Sequence, residues 1–509
     1  MTPVFSRLPV PDPTPVLKLW ASWRRAVLDR QDPVSTQRRT LARLLRSGRR
    51  TEFGKAHGFA SIRSVEDYRR QVPLRLYEAF WREWWEPRFP YVGGATWPGR
   101  IRYFANSSGT TQASTKRIPL SAAMLRSNGR AALDVLAWHF ARRPDSKVLG
   151  GTGVFLGGST ALETLAPGIR AGDLSGVAAA RQPLWARGRV LPRGPMARVT
   201  DWRAKMSGLA PAALCEPVAS ISGTASWMLL FLETAAALRP PGARLRDLFP
   251  ALELLVHGGV GFAPYRDRFA WFLEGGAAST REVYAASEGF IAVADRGNGE
   301  GLRLVLDRGL FFEFVRPADL DTPNPERRCV GDAELEQDYA LVLTTDAGLW
   351  SYVLGDVVRL VSLDPPRVLV TGRTSWSLSV AGEHLSGSEL DTAVSQAART
   401  LGRGVVDYSA APLPPGAVDP RGGHLFAVEL DGPCDATVFA EALDAVLRCL
   451  NDDYAAHRGD GFGLRDPDVQ LLPPGSFARW MEGRGKLGGQ NKVPRVVTGA
   501  EALKELLAI

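Results

Sequence analysis

Ile101-Arg102-Tyr103-Phe104-Ala105 reads as a short strand, and it runs directly into Asn106-Ser107-Ser108-Gly109-Thr110-Thr111-Gln112-Ala113-Ser114-Thr115-Lys116. Leu120 to Ala141 then carries apolar residues at helical spacing. Strand, small polar loop and helix in that order is an α/β arrangement, and the alternation continues to about residue 300. The loop has the chemistry of a phosphate cradle. Its small residues let the backbone approach an oxyanion, its N–H groups and hydroxyls donate, and Lys116 adds a mobile positive charge.

Working outward, residues 16–47 read as helices broken at Asp32-Pro33. Tyr77 to Phe104 packs ten aromatics into 28 residues, including Trp81, Trp84, Trp85 and Trp97, a composition that suits core or interface first and an acyl pocket second. Residues 302–315 predict a hairpin turning at Asp307-Arg308-Gly309. Further strands at 340–345, 356–361 and 367–371 predict a small β subdomain. After Gly372 the pattern changes to a helix over 388–401, a strand over 424–430, and a helix capped by Asp435 with Val438, Ala442, Val446 and Leu450 on one face. The expected fold is α/β: a large N-terminal domain over 1–372 with that β subdomain, and a smaller, mobile α+β domain over 373–509, hinged near Gly372-Arg373.

Composition narrows the function. At roughly 100–200 residues per domain, 509 residues predict two to four domains, enough to bury large cores without disulfide or metal staples. No apolar run approaches the roughly 20 residues of a membrane span, and Met1 to Pro15 lacks the apolar segment of a secretory signal. Cys215, Cys329, Cys434 and Cys449 are widely spaced and the six histidines are scattered, so no metal staple is expected and a reducing cytoplasm fits. The net charge of +8 suggests nucleic acid, but its distribution argues otherwise: residues 1–50 hold 11 Lys/Arg against three Asp, and the remainder is balanced. That stretch reads as a solvated helix face, with an acidic partner as the alternative. Only eight of the 62 basic residues are lysine, and three of those lie in Gly-rich segments. Gly483-Arg484-Gly485-Lys486-Leu487-Gly488 matches GxGxxG formally but follows no convincing strand, and no Walker loop, GxSxG elbow or kinase signature is present.

Four more segments carry chemistry. Tyr284-Ala285-Ala286-Ser287-Glu288-Gly289 offers an aromatic followed by small residues, suited to a flat base, and Glu288 is a hard oxygen ligand for Mg²⁺. In Tyr352-Val353-Leu354-Gly355-Asp356-Val357 the carboxylate just past Gly can accept both hydroxyls of a ribose, although the stretch also reads as an ordinary turn. Gly372-Arg373-Thr374-Ser375-Trp376 precedes Gly382-Glu383-His384. Gly485-Lys486-Leu487-Gly488-Gly489-Gln490-Asn491-Lys492-Val493-Pro494-Arg495 is a Gly-rich loop able to carry a cation into a site built by another domain.

In this order the five segments resemble the adenylate-forming superfamily of acyl-CoA synthetases, peptide-synthetase adenylation domains and luciferase. The wording resembles most the Gretchen Hagen acyl-acid-amido synthetases, as in residues 51–59 (TEFGKAHGF), 72–77 (VPLRLY), 107–119 (SSGTTQASTKRIP), 222–228 (SGTASWM) and 284–289 (YAASEG). The resemblance implies a two-step ligase. A carboxylic acid attacks ATP to give acyl-adenylate and pyrophosphate, then an amine, usually an amino acid, takes the acyl group. It implies that Ser107, Ser108, Gly109, Thr110, Thr111 and Lys116 hold the triphosphate, that Tyr284, Ala285 and Ser287 border adenine and α-phosphate, and that Glu288 binds Mg²⁺. Asp356 would take the ribose, Arg373 would sit by the hinge, and Lys492, ahead of Lys486, would reach the reacting phosphates. Lys492, Lys116 and Glu288 are the expected catalytic groups. The implied partners are small-molecule acid and amine, with no nucleic acid and no membrane. Gln112-Ala113 and His384 depart from the family pattern, His384 standing where a lysine is expected. The competing expectations are transfer to CoA, a carrier thiol or another nucleophile, and a nucleotide-binding scaffold with weak or no catalysis.

Overall fold

One eleven-stranded sheet organises the large part of the chain. The computed structural model describes residues 12–107, 116–182, 188–320, 322–374, 378, 380, 383, 385–413, 421–459, 464–487, 492–497 and 500–508. Val190–Leu191, Thr152–Leu156, Val218–Thr224, Leu254–Gly258 and Ser279–Ala286 pair in parallel, and the sheet turns antiparallel at Gly289–Val293. It continues through Leu302–Leu304, Pro366–Arg373, Tyr352–Leu363, Asp338–Thr345 and Leu310–Val315. The strands expected to form a small β subdomain therefore run on from the parallel half of the same sheet.

Residues 302–315 are not a hairpin. Leu302–Leu304 pairs with Gly289–Val293 and Pro366–Arg373, whereas Leu310–Val315 pairs with Asp338–Thr345 at the sheet edge. Asp307 instead binds the buried Arg24 guanidinium (2.7 Å), which also clasps Asp134 (2.7 Å), tying the helix Thr14–Asp29 to the helix Ala122–Arg142 and to the connection between Leu302–Leu304 and Leu310–Val315.

Local chemistry sets the helices. Asp32 accepts from Ser35 N at 2.8 Å to start Pro33–Gly48, and proline at its first position needs no donor. Ser121 caps Ala122–Arg142 through Met124 N at 3.0 Å. The Tyr77–Phe104 aromatics pack mainly as core: Phe80 and Trp85 are fully buried with Phe53 and Trp350, and Trp85 Nε1 donates to Thr96 Oγ1 at 3.1 Å.

A second unit has its own core and a three-stranded sheet of Val405–Leu413, Gly423–Leu430 and Asp468–Leu472. The capping box of Ser386 and Glu389 starts Gly387–Thr400 against it. Asp435 caps Ala436–Leu450 as expected, but the buried face is Phe439, Leu443 and Leu447, while Val438 and Leu450 are exposed. Two apolar stripes run side by side on that helix, and the one with the larger side chains fills the core. Among the described residues no helix is long and apolar enough to cross a membrane.

Candidate active site

The parallel strands end their carboxyl termini on one edge of the sheet, the usual ligand-binding edge of an open α/β sheet. Ser279–Ala286 and Gly289–Val293 form a tight hairpin whose two-residue connection is Ser287-Glu288. The turn puts Glu288 inward: it is 6% exposed, and the Tyr352 hydroxyl donates to its Oε1 at 3.2 Å. Burial pushes the Glu288 carboxyl above the usual glutamate range; the Asp356 charge adds to this, and Lys116 opposes it.

Asp356 lies within the strand Tyr352–Leu363, in place of the turn its sequence resembles. Gly355, at φ +92°, sits where the register with Asp338–Thr345 slips between Ala340 and Val342. Only glycine holds that backbone without strain, and past the bulge Asp356 faces Tyr284 and Arg373. Its two oxygens are engaged separately. Tyr284 Oη donates to Oδ2 at 2.5 Å, and Arg373 Nε, on the directly opposite cross-strand residue, pairs with Oδ1 at 2.9 Å. A carboxylate has about four lone-pair sites, so capacity remains for a ligand's hydroxyls.

Ser107 and Lys116 are register partners on the strands Tyr103–Ser107 and Lys116–Leu120. Residues 108–115, with Ser108, Gly109, Thr110, Thr111 and the Gln112-Ala113 departure, lie outside the described residues, as do Ser375, Trp376, Gly382, His384 and residues 488–491. Lys116 Nζ is 4.0 Å from Glu78 Oε1 and 5.3 Å from the Tyr77 ring centre.

Lys492 comes from the other unit. A Cβ built on Gly259 would stand 3.4 Å from its Cε and 3.5 Å from its Nζ. The residue keeps contact with solvent, yet protein packed around the ammonium and the Arg373 charge push its pKa down to about 8, Asp356 opposing and Arg495 adding. Lys486 is exposed just past the helix Ser476–Gly483, and Gly485 at φ +64° follows that helix, so the GxGxxG match marks a helix end. Glu383 is fully buried in the small unit with its Oε1 2.6 Å from His424 Nε2.

Tyr284, Glu288, Asp356, Arg373, Lys116 and Lys492 are thus linked by contact or by field. Sequence reasoning assigned no role to Tyr352, which bonds Glu288, or to Gly258-Gly259, over which Lys492 lies. A Cβ at Gly258 would meet the Val283 carbonyl at 2.2 Å, and the Gly-Gly pair after an apolar strand was the available signal.

Comparison with known proteins gives consistent matches. The GH3 family N-terminal domain matches residues 24–236, the GH3 central domain 303–373 and the GH3 C-terminal domain 388–501. The probable indole-3-acetic acid-amido synthetase GH3.4 of Oryza sativa subsp. japonica is 28% identical over 207 residues, which is 37% of this chain and 33% of that protein. The indole-3-acetic acid-amido synthetase GH3.3 of Arabidopsis thaliana is 24% identical over 264 residues, 48% of this chain and 43% of that protein. The chain thus aligns with less than half the length of these curated relatives. In structure it resembles the GH3.15 acyl acid amido synthetase (TM-score 0.80, 18% identity, 96% of both chains). It also resembles a 2-hydroxyisobutyryl-CoA ligase in the postadenylation state (TM-score 0.62, 16% identity, 94% of this chain and 92% of that one).

Proposed function

This chain belongs to the GH3 family, and we propose that it activates a carboxylic acid with ATP and passes the acyl group to an amine, an amino acid foremost, to form an amide. The observation that carries the reading is the carboxylate of Asp356 braced between Tyr284 and Arg373, with Lys492 of the small unit brought into the same electrostatic neighbourhood.

In this reading Asp356 binds the ribose hydroxyls while Tyr284, its phenol fixed by Asp356, presents a ring beside the adenine. Ser107, Ser108, Gly109, Thr110, Thr111 and Lys116 hold the phosphates, and Ala285 and Ser287 border the base and α-phosphate. A carboxylate oxygen of the acid attacks the α-phosphorus, and the bond to the pyrophosphate oxygen breaks. Negative charge crowds there, and the Lys492 and Lys116 ammonium groups lower the barrier by standing where it develops. The amine nitrogen then attacks the acyl carbon, loses a proton, and AMP leaves with the bonding pair. No protein nucleophile is needed, so positioning and electrostatics supply the catalysis.

Glu288 suits Mg²⁺. Its buried carboxylate accepts one phenol, and Mg²⁺ beside a nucleotide needs only one or two carboxylates in addition to phosphates. Bound there, Mg²⁺ would neutralise phosphate charge. We assign residues 373–509 as a small lid hinged near Gly372-Arg373, which brings Lys492 in for adenylation and withdraws it for transfer. The four cysteines are unpaired, which suits a reducing, cytoplasmic setting.

The test is acid-dependent pyrophosphate release with ATP and magnesium across a panel of carboxylic acids, followed by product mass with amino acids or CoA. Amide products support the reading. A thioester in their place moves the chain to the CoA-ligase reading, and no acid-dependent release with any acid refutes adenylation.

A further inference from the structure

Arg495 lies three residues beyond Lys492, and its guanidinium is only 11% exposed. Within the small unit Nε pairs with Asp391 Oδ1 at 3.0 Å, Nη1 donates to Asp407 Oδ1 at 2.5 Å and to the Tyr408 carbonyl at 3.0 Å, and the plane lies 4.4 Å from the Tyr408 ring centre. The Tyr408 hydroxyl completes the cluster by donating to Asp391 at 2.7 Å. The backbone is pinned as well: Ala410 N donates to Arg495 O, and Val497 N donates to Ala410 O, both at 2.8 Å.

One member comes from the other unit. Arg495 Nη2 donates to the hydroxyl of Tyr265, which in turn donates to Asp407 at 3.5 Å. Tyr265 is 1% exposed and ends the segment that begins at Gly259, beneath Lys492. Between them Gly261 lets the backbone pass close to Asp391, where a Cβ would stand 2.2 Å from Oδ2. Residues 259–265 therefore meet the small unit at Lys492, at Asp391 and at Arg495.

Resting on the function proposed above, we infer that Tyr265 is a positioning residue that latches the small domain in the lysine-in arrangement by docking its hydroxyl on the Arg495–Asp407 pair. The partition of the cluster makes the latch releasable. Arg495, Asp391, Asp407 and Tyr408 all belong to the small domain, so no buried charge loses its counter-ion when the domains part. Within this cluster only the Tyr265 phenol is exchanged for water. By contrast the Arg399–Asp267 pair at the same boundary (2.9 Å) is exposed and holds little.

The test is Tyr265→Phe, which keeps the buried ring and removes the hydroxyl. The expected result is a loss of about tenfold in kcat for acid-dependent ATP–pyrophosphate exchange, the effect of one hydrogen bond to a charged group, with KM for ATP held. Amide formation from supplied acyl-adenylate should stay at the wild-type rate or rise. With ATP and magnesium present, amides of residues 260–268 should exchange with deuterium faster in the variant than in wild type, while Arg399→Ala leaves both readouts unchanged. Equal loss in both half-reactions, or wild-type pyrophosphate exchange together with unaltered deuterium uptake, overturns the latch. Absence of acid-dependent exchange in the wild-type protein overturns the ligase reading instead, and deuterium uptake still decides the latch.

Discussion

Lys492 lies across Gly259, its Nζ 3.5 Å from the point where a Cβ would stand on that glycine. Gly259 has φ +87°, so a side chain there would strain the backbone and meet the lysine together. The contact joins the end of a parallel strand in the large unit to a loop of the small one.

Removing that ammonium should therefore separate catalysis from folding. Lys492→Ala is predicted to lower ATP–pyrophosphate exchange by about 10²–10³-fold, the usual cost of one charge-stabilising group in a transition state. Its melting temperature should match the wild type, because the residue is exposed and carries no core packing. Unchanged exchange in this variant would remove Lys492 from the mechanism.

The pH dependence follows from the same residue. Protein packed around the ammonium and the Arg373 charge hold Lys492 near a pKa of about 8, so the cation is lost as pH rises through that value. For adenylation, kcat/KM reports the free enzyme and should fall above about pH 8. The limb in kcat should lie higher, because bound triphosphate favours the charged lysine. Lys492→Arg keeps its charge across this range and should lack the alkaline limb. A wild-type profile flat from pH 7 to 10 would contradict the assignment.

Asp356 makes a different prediction, about binding. Asp356→Asn leaves Arg373 without its counter-ion and weakens acceptance from ribose hydroxyls. KM for ATP should rise about 10–100-fold, the range for hydrogen bonds to a charged group. Wild-type protein should also discriminate against 2′,3′-dideoxy-ATP, and the variant should lose most of that discrimination. Equal discrimination in both proteins would mean that Asp356 does not touch the ribose.

These residues were legible in the sequence to different depths, for physical reasons. The strand ahead of Ser107 and the helix after Ser121 showed in local periodicity, because burial on a sheet or helix repeats every few residues, but the strand Lys116–Leu120 between them, too short to show a period, read as the end of the loop. The partner of a strand does not repeat locally, so 302–315 read as a hairpin although its halves pair with distant strands. Asp356 read as a turn because Gly-Asp fits a turn or a bulge equally well, and only pairing with Arg373 decides between them. The helix Ala436–Leu450 carries two apolar stripes, and the identity of the buried one depends on the sheet beneath it. Tyr265 and Arg495 are 230 positions apart, and no local pattern links them.

The Trp-rich segment supplies the last prediction, which concerns stability. Trp85 is fully buried, stacked at 5.3 Å on Phe80, and its indole N–H is spent on Thr96. Phe80 in turn stacks on Phe53 at 5.7 Å, and Phe53 on Trp350 at 6.2 Å, so the rings form one continuous core. An acyl-pocket residue would be expected to present a free face, and Trp85 presents none. Trp85→Ala should therefore destabilise the protein by about 3–5 kcal/mol, read from denaturant unfolding, through the cavity left behind. At a temperature where the variant stays folded, KM for the carboxylic acid should remain within a few-fold of wild type. A large rise in that KM with little loss of stability would assign Trp85 to the substrate pocket.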